Sequence, residues 1–452
     1  MKQFGDSYKQ ILHYWWPEMI SGSIIFILPM LLDAMIVAQL RSTSTYGALG
    51  IANTFLHMIT KMAESISVAT VAVVGHFNGA KKYKKAWEAL GDSFWSTIFV
   101  GFIPFILIFS FSTQIYMWLG TPEHIAQIGS PYLKLRAVGV LLSFIYLGFF
   151  GFLRGVKNTK TPMQILVSGI MVFLFFDYAL VLGKFGFPQL KLVGSATATI
   201  IQFSIMIIIC MIYILKNKEY KLYFSKAFFR LFNLKGALHI LNISWPIAID
   251  KTALASCYIY LNKLINPMGK YAIASYSVVK DLERFAMLPG IAFATVITLL
   301  VSNRLGAKDK VGARANIRKV LQMAGIMVSI ILLIICFNTP YFLKFFDLKN
   351  KFAPFAAKAF PFISILVIFD FIQLILSGVL RGAGDVRALM IIRVFGCVAF
   401  FYPVATLLSK ITYPSDIIRF IFLYGSFYLY TGFIGLLCIL RLKWKRVKTD
   451  KI

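Results

Sequence analysis

The amino-acid sequence predicts an all-α polytopic membrane protein, with twelve transmembrane helices in two homologous six-helix lobes. Three observations carry that prediction. Hydrophobic residues make up 59% of the 452 positions and charged residues 14%, against about 45–50% and about 25% in soluble domains. The apolar residues fall in runs of about 20 or more, which cross roughly 30 Å of hydrocarbon at 1.5 Å per residue. Such runs are too long for barrel strands, so the spans are helices that satisfy their own backbone groups. The third observation is repetition. Gly151-Phe-Leu-Arg-Gly155 returns as Gly378-Val-Leu-Arg-Gly382, and Gly79-Ala-Lys81 returns as Gly306-Ala-Lys308, both 227 positions on. Separate motifs sharing one offset mark a duplication. Six spans per copy gives the copies one orientation, related by an axis near the membrane normal.

Residues 1–215 form the expected N-lobe. Its amphipathic start, with Trp15, Trp16 and Pro17, reads as an interfacial anchor, since indole rings favour the headgroup level. Span 1 covers about 18–40 and holds Pro29, where a helix bends, and Asp33. The run continues past Asp33 with no small-residue cleavage site, the pattern of a retained span rather than a signal peptide. Spans 2, 3 and 4 fall at about 48–76, 88–117 and 131–153. The basic hinge Gly151–Pro162 follows, its glycines read as permitting a tight exit. Span 5, about 162–183, carries Asp177; span 6, about 192–215, opens with Gly194-Ser-Ala-Thr-Ala-Thr199, small residues that let helices approach closely.

Residues 216–238 form a basic cytoplasmic linker whose interleaved aromatics suit an amphipathic helix on the inner leaflet. The C-lobe, 239–440, repeats the plan: Trp245-Pro246 opens span 7 as Trp16-Pro17 opened span 1, and spans 7 to 12 fall at about 240–265, 271–302, 318–338, 355–380, 387–409 and 416–440. The tail, 441–452, is basic and expected in the cytoplasm.

The net charge of +29 is spread over short loops rather than gathered into one stripe, which argues against a nucleic-acid partner. The even-numbered loops and both termini carry more than twice the Lys and Arg of the odd-numbered loops. That asymmetry predicts a cell-membrane protein with both termini cytoplasmic. Five cysteines lack CxxC spacing and read as small buried hydrophobes, and five scattered histidines give no ligand pattern, so no metal is expected beyond a coupling ion. There is no Gly-x-x-x-x-Gly-Lys-Ser/Thr phosphate loop. An ion gradient is left as the energy source, with no cofactor.

Pro29-x-x-x-Asp33, the Gly-Ala-Lys and Leu-Arg-Gly repeats, Asp177 followed by Gly183, Gly186, Pro188 and the Gly194–Thr199 run, and Asp370-x-x-Gln373 leading into Gly378 stand in the order found in one family. The chain resembles the multidrug and toxin extrusion (MATE) transporters, within the wider group that includes lipid-linked oligosaccharide flippases. The resemblance implies two lobes around a central cavity, alternating access, and export driven by inward flow of protons or sodium. One departure stands out. Relatives often place Asn four residues before the span-5 Asp, where this chain has Phe173.

A charge at mid-bilayer costs at least about 2.5–3.5 kcal/mol, so membrane carboxylates are candidates for function. The expected ion-coupling residues are Asp33, Asp177, Asp250 and Asp370. Desolvation disfavours the charged form of a carboxyl, which lets such a group take up and release a proton; alternatively, Ser195, Thr197 and Thr199 could join a carboxylate as oxygen ligands for sodium. Lys61 with Glu64, and Lys280 with Glu283, have the spacing of structural ion pairs. Arg154 and Arg381 are expected to anchor matching inner loops at the phosphate layer. At an offset of 227, Asp33 and Asp177 correspond to Tyr260 and Val404, so the duplicated scaffold does not duplicate its acids.

Read with the family resemblance, these residues lead to the expectation of a secondary antiporter, a monomer in membrane lipid, exporting small amphiphilic cationic compounds for protons or sodium. A lipid-linked precursor flippase on the same fold is the alternative, favoured if Lys and Arg rather than carboxylates line the cavity. A membrane-embedded enzyme would need a polar catalytic cluster at one face, and no hydrolytic triad emerges.

Overall fold

The computed structural model describes residues 5–217, 233–344, 347 and 351–449, with the side chains of 26–31, 34, 344 and 444–449 outside that description. Most of the expected linker and the ring of Pro29 therefore lie outside the described residues. Among those described, every regular element is helical: α1 (Tyr8–Ala38), α2 (Thr43–Gly79), α3 (Tyr83–Trp118), α4 (Glu123–Gly155), α5 (Lys160–Leu182), α6 (Leu192–Lys216), α7 (Leu234–Ile265), α8 (Lys270–Gly306), α9 (Lys310–Phe337), the short α10 (Thr339–Lys344), α11 (Ala353–Gly382), α12 (Val386–Phe395), α13 (Tyr402–Lys410) and α14 (Asp416–Thr449). Among the described residues, ten segments are long and apolar enough to cross a membrane, and α1 and α7 take the places of spans 1 and 7.

Span 11 is not one continuous α-helix. A π-helical turn, Gly396–Phe401, separates α12 from α13. Pro403 follows it, and a proline in a helix interior lacks an N–H and crowds the carbonyl four residues back, here Ala399. The wider π turn relieves that crowding.

The chain forms two compact units. The N-unit holds Trp16–Trp245 together with Ser302–Lys308, in which α2 packs on α3 and α4, and α6 on α4 and α5. The C-unit holds Pro246–Val301, Asp309–Ile452 and the residues up to Trp15; α11 packs there on α9 and α14. Two segments thus cluster away from their neighbours in sequence. The first is tied down by Asp6, whose backbone N–H donates to Asn316 Oδ1 at 2.8 Å and whose carboxylate accepts from Asn316 Nδ2 at 2.6 Å. Trp15 belongs to the same packing: its indole donates to the Pro289 carbonyl at 3.2 Å and stacks on Phe293. These contacts hold the indole against α8.

The second segment explains the Gly-Ala-Lys repeat. A Cβ on Gly79 would strike the backbone of Asn303, and one on Gly306 would strike the backbone of His76. Since 76 and 303 are themselves 227 apart, α2 and the end of α8 meet through reciprocal contacts. Asn78 donates to Asn303 Oδ1 at 2.8 Å, and Asn303 donates to the Gly155 carbonyl at 3.0 Å. The left-handed residues that end these helices are Lys81 and Lys308 instead, with φ of 57° and 60°.

The hinge glycines serve the same purpose. A Cβ on Gly151 would meet the Ser67 carbonyl, and one on Gly378 the Ala294 carbonyl, again equivalent positions. They let the fourth helix of each copy lie on the second; the chain turns later, at Lys157 and Gly384. The expected tail begins as helix, with α14 running to Thr449 and Arg441 paired with Asp385 at 2.9 Å.

Candidate functional site

In the N-unit, α1, α4, α5 and α6 bring together two carboxylates and a guanidinium. Asp33 and Asp177 are buried, at 6% and 0% exposure. The Ser195 hydroxyl donates to Asp33 Oδ1 at 2.8 Å. Thr199 lies one turn further along the same face of α6, accepts from Arg136 Nη1 at 2.5 Å, and gives its own proton to the Ser195 carbonyl at 3.0 Å. Arg136 faces both carboxylates electrostatically, and its guanidinium carbon stands 5.9 Å from the Tyr132 ring centroid. The Tyr132 hydroxyl reaches Asn53 Oδ1 at 3.4 Å.

Neither oxygen of Asp177 has a hydrogen-bond partner among the described residues. Ser195 has one proton and spends it on Asp33; Phe173, one turn earlier on α5, is buried and offers no polar atom. A buried carboxylate lacking donors is expensive, so this group's chemistry is left for something that arrives. Thr197 is not brought to this cluster. Positions 195 and 199 share a helix face while 197 points away, and its hydroxyl donates to the Val193 carbonyl at 3.0 Å.

The C-unit treats its acids differently. Asp250, at 1% exposure, accepts from Arg381 Nη2 at 2.5 Å and from Arg393 Nε at 2.7 Å. Arg393 continues to Ser377 at 3.3 Å, Ser377 to Gln373 Oε1 at 3.3 Å, and Gln373 Nε2 to Asp370 Oδ1 at 3.0 Å. Asp370 is half-buried at the end of this chain of bonds. Glu283, buried on α8, accepts from the Tyr424 hydroxyl rather than pairing with Lys280, whose ammonium lies over the Tyr276 ring at 5.4 Å. Lys61 and Glu64 do form their ion pair, at 2.8 Å.

Arg154 and Arg381 each pair with a buried acid. Arg154 pairs with buried Glu18 at 2.5 Å as Arg381 pairs with Asp250. The acids sit on the first helix of each half, Glu18 one residue after Trp16-Pro17 and Asp250 four residues after Trp245-Pro246. A shift of three positions is nearly one helical turn and keeps the acid on the same face.

The family profile described as MatE matches residues 19–179 and again 246–407. The two matches start 227 positions apart and together span well over half the chain. The chain belongs to the MATE family. MATE relatives include "Probable multidrug resistance protein YoeA" of Bacillus subtilis, 24% identical over 411 residues that cover 88% of each chain, and "Multidrug resistance protein NorM" of Photobacterium profundum, 23% identical over 333 residues, covering 72% of this chain and 71% of that one. The fold matches a crystal structure of MATE in the bent conformation, with a TM-score of 0.87 over 99% of this chain and 96% of that one at 16% identity. It also matches an Asp-to-Asn mutant of the Vibrio cholerae MATE transporter VcmN, at 0.87 over 98% and 97% with 18% identity. As a MATE protein the chain is a multi-pass membrane transporter and not an enzyme.

Within that family frame, Asp33, Asp177, Ser195 and Thr199 are the predicted residues the fold gathers, while Asp250 is committed to two arginines. Arg136, Tyr132, Glu18 and Arg393 went unmarked in the sequence.

Proposed function

We propose that this MATE transporter is a secondary antiporter that exports small amphiphilic cationic compounds against inward protons by alternating access, with Asp33 and Asp177 as the coupling carboxylates. The observation that carries the reading is Asp177: buried, facing a second carboxylate and an arginine, with both oxygens unpartnered. Deprotonated, the pair presents negative charge to an organic cation. When Asp177 takes up a proton that attraction weakens and the cation leaves. Each inward elementary charge contributes about 2.3 kcal/mol per 100 mV, so one or two protons support a useful outward gradient.

Arg136 supports protons over sodium. Its guanidinium already occupies the cationic place beside the carboxylates and takes a lone pair of Thr199, leaving a metal ion fewer oxygen ligands and a like charge nearby. Asp370, in the C-unit, is a third carboxylate on which coupling can draw. Asp250 is assigned a structural role. The flippase alternative asks for uncommitted basic groups, whereas Arg154 is paired with Glu18, and Arg381 and Arg393 share Asp250. The Lys and Arg asymmetry supports cytoplasmic termini, which cysteine labelling from each side would check.

The test is efflux of a fluorescent lipophilic cation from reconstituted vesicles under an imposed pH gradient or, at fixed pH, a sodium gradient. The pH gradient drives wild-type transport, the sodium gradient does not, and Asp33→Asn and Asp177→Asn each lose at least about tenfold, about 1.4 kcal/mol. Undiminished gradient-driven transport in both variants would sink the assignment of these carboxylates. A sodium-driven wild type would transfer the coupling to sodium.

A further inference from the structure

Cys257 on α7 and Cys397 in the π-helical turn hold their sulphur atoms 3.0 Å apart, inside the van der Waals separation of two sulphurs. Both side chains are buried, at 0% and 2% exposure, and both are free thiols. The Cys397 sulphur is fixed from other sides as well: it lies 3.0 Å from the Tyr430 hydroxyl and donates to the Ala253 carbonyl at 3.3 Å. The backbone beneath it has little room to shift, because a Cβ on neighbouring Gly396 would run into Ile434 and Tyr430 of α14. Two buried cysteines serving only as small hydrophobes would need no such approach. This pair needs to close by only about 1 Å to reach the ~2.05 Å of a disulfide.

We propose that Cys257 and Cys397 are an oxidisable dithiol, a modification site that closes to a disulfide on meeting a membrane-soluble two-electron acceptor of the quinone class. Two S–H bonds break and one S–S bond forms. The sulphurs give up two electrons and two protons, and the acceptor leaves as its dihydro form. The product ties α7 covalently to the π turn between α12 and α13, two segments otherwise joined at this point by Ser256 with Tyr402 at 2.7 Å and Tyr260 with Thr406 at 2.6 Å. None of this depends on which ion the transporter uses.

The full chain, purified in detergent micelles, is treated with diamide, a permeant azo compound that accepts the same two hydrogens. The free-thiol titre falls from the five cysteines of the sequence to three. Peptide mapping recovers a Cys257–Cys397 cross-link lighter by two hydrogens, and dithiothreitol restores the titre. Cys257→Ser and Cys397→Ser lose no pair of thiols, whereas Cys210→Ser and Cys438→Ser still form the cross-link. A wild-type titre that stays at five, or a disulfide that joins Cys336 or a second chain, overturns the proposal. The wild-type map decides the matter alone if a serine variant folds poorly.

Discussion

The two units start from one plan, each fastening a buried acid to its Leu-Arg-Gly arginine, and part ways at the remaining carboxylates. In the C-unit, Asp250 is clasped by two guanidinium groups, one on each carboxylate oxygen, whose positive charge repels an incoming cation. In the N-unit, neither oxygen of Asp177 has a hydrogen-bond partner among the described residues, and the Ser195 hydroxyl donates to Asp33. The positions equivalent to the N-unit acids carry Tyr260, bonded to Thr406 at 2.6 Å, and Val404. A neutral hydrogen bond holds the C-unit helices where carboxylates stand in the other copy. Both copies keep one buried acid as a fastening, Glu18 or Asp250, and the N-unit adds a buried carboxylate with no hydrogen-bond partner among the described residues.

That contrast breaks most decisively at Asp250. Replacing it with Ala strands Arg381 and Arg393 in a buried place, and removing one partner of such a group costs about 3–5 kcal/mol; a large fall in melting temperature in detergent checks this. Gly79→Val comes next: the added methyls meet the backbone of Asn303, and overpacking of this kind costs about 1–3 kcal/mol. Gly306→Val should lower the melting temperature by a matching amount, since its contact with His76 is the equivalent one. Asp177→Asn reverses the pattern of Asp250→Ala. It removes an unsatisfied charge, so the melting temperature holds or rises while coupled efflux falls at least about tenfold, about 1.4 kcal/mol in the barrier. Smallest of all is Thr197→Val, within about 0.5 kcal/mol of wild type and with unchanged efflux, because the hydroxyl serves only its own helix. A marked loss of transport there would return Thr197 to the site.

The scaffold was legible because repeated glycines and arginines report backbone constraints that duplication copies. Gly79 and Gly306, or Gly151 and Gly378, must each be small for the same reason. The partners were not legible. Arg154 finds Glu18 and Arg381 finds Asp250 across more than a hundred positions, and nothing local in the sequence ranks one acid above another. Arg136 was overlooked because it lies near the start of its span, where long basic side chains ordinarily extend to the interface. Of the hydroxyls on α6, helical periodicity alone could have separated Ser195 and Thr199 from Thr197. The π turn did leave a sign, Pro403, and its effect on the turn before it is steric.

The reciprocal meeting of Gly79 with Asn303 and of Gly306 with His76 has a consequence for origin. Residue i touching j while the counterpart of j touches the counterpart of i is the signature of an isologous interface, the kind that two identical chains form about a twofold axis. A half-length ancestor bearing one Gly-Ala-Lys segment would have met its twin through this same crossing. At this crossing each copy still constrains the other: the glycine on one side must be small because the backbone on the other side lies against it.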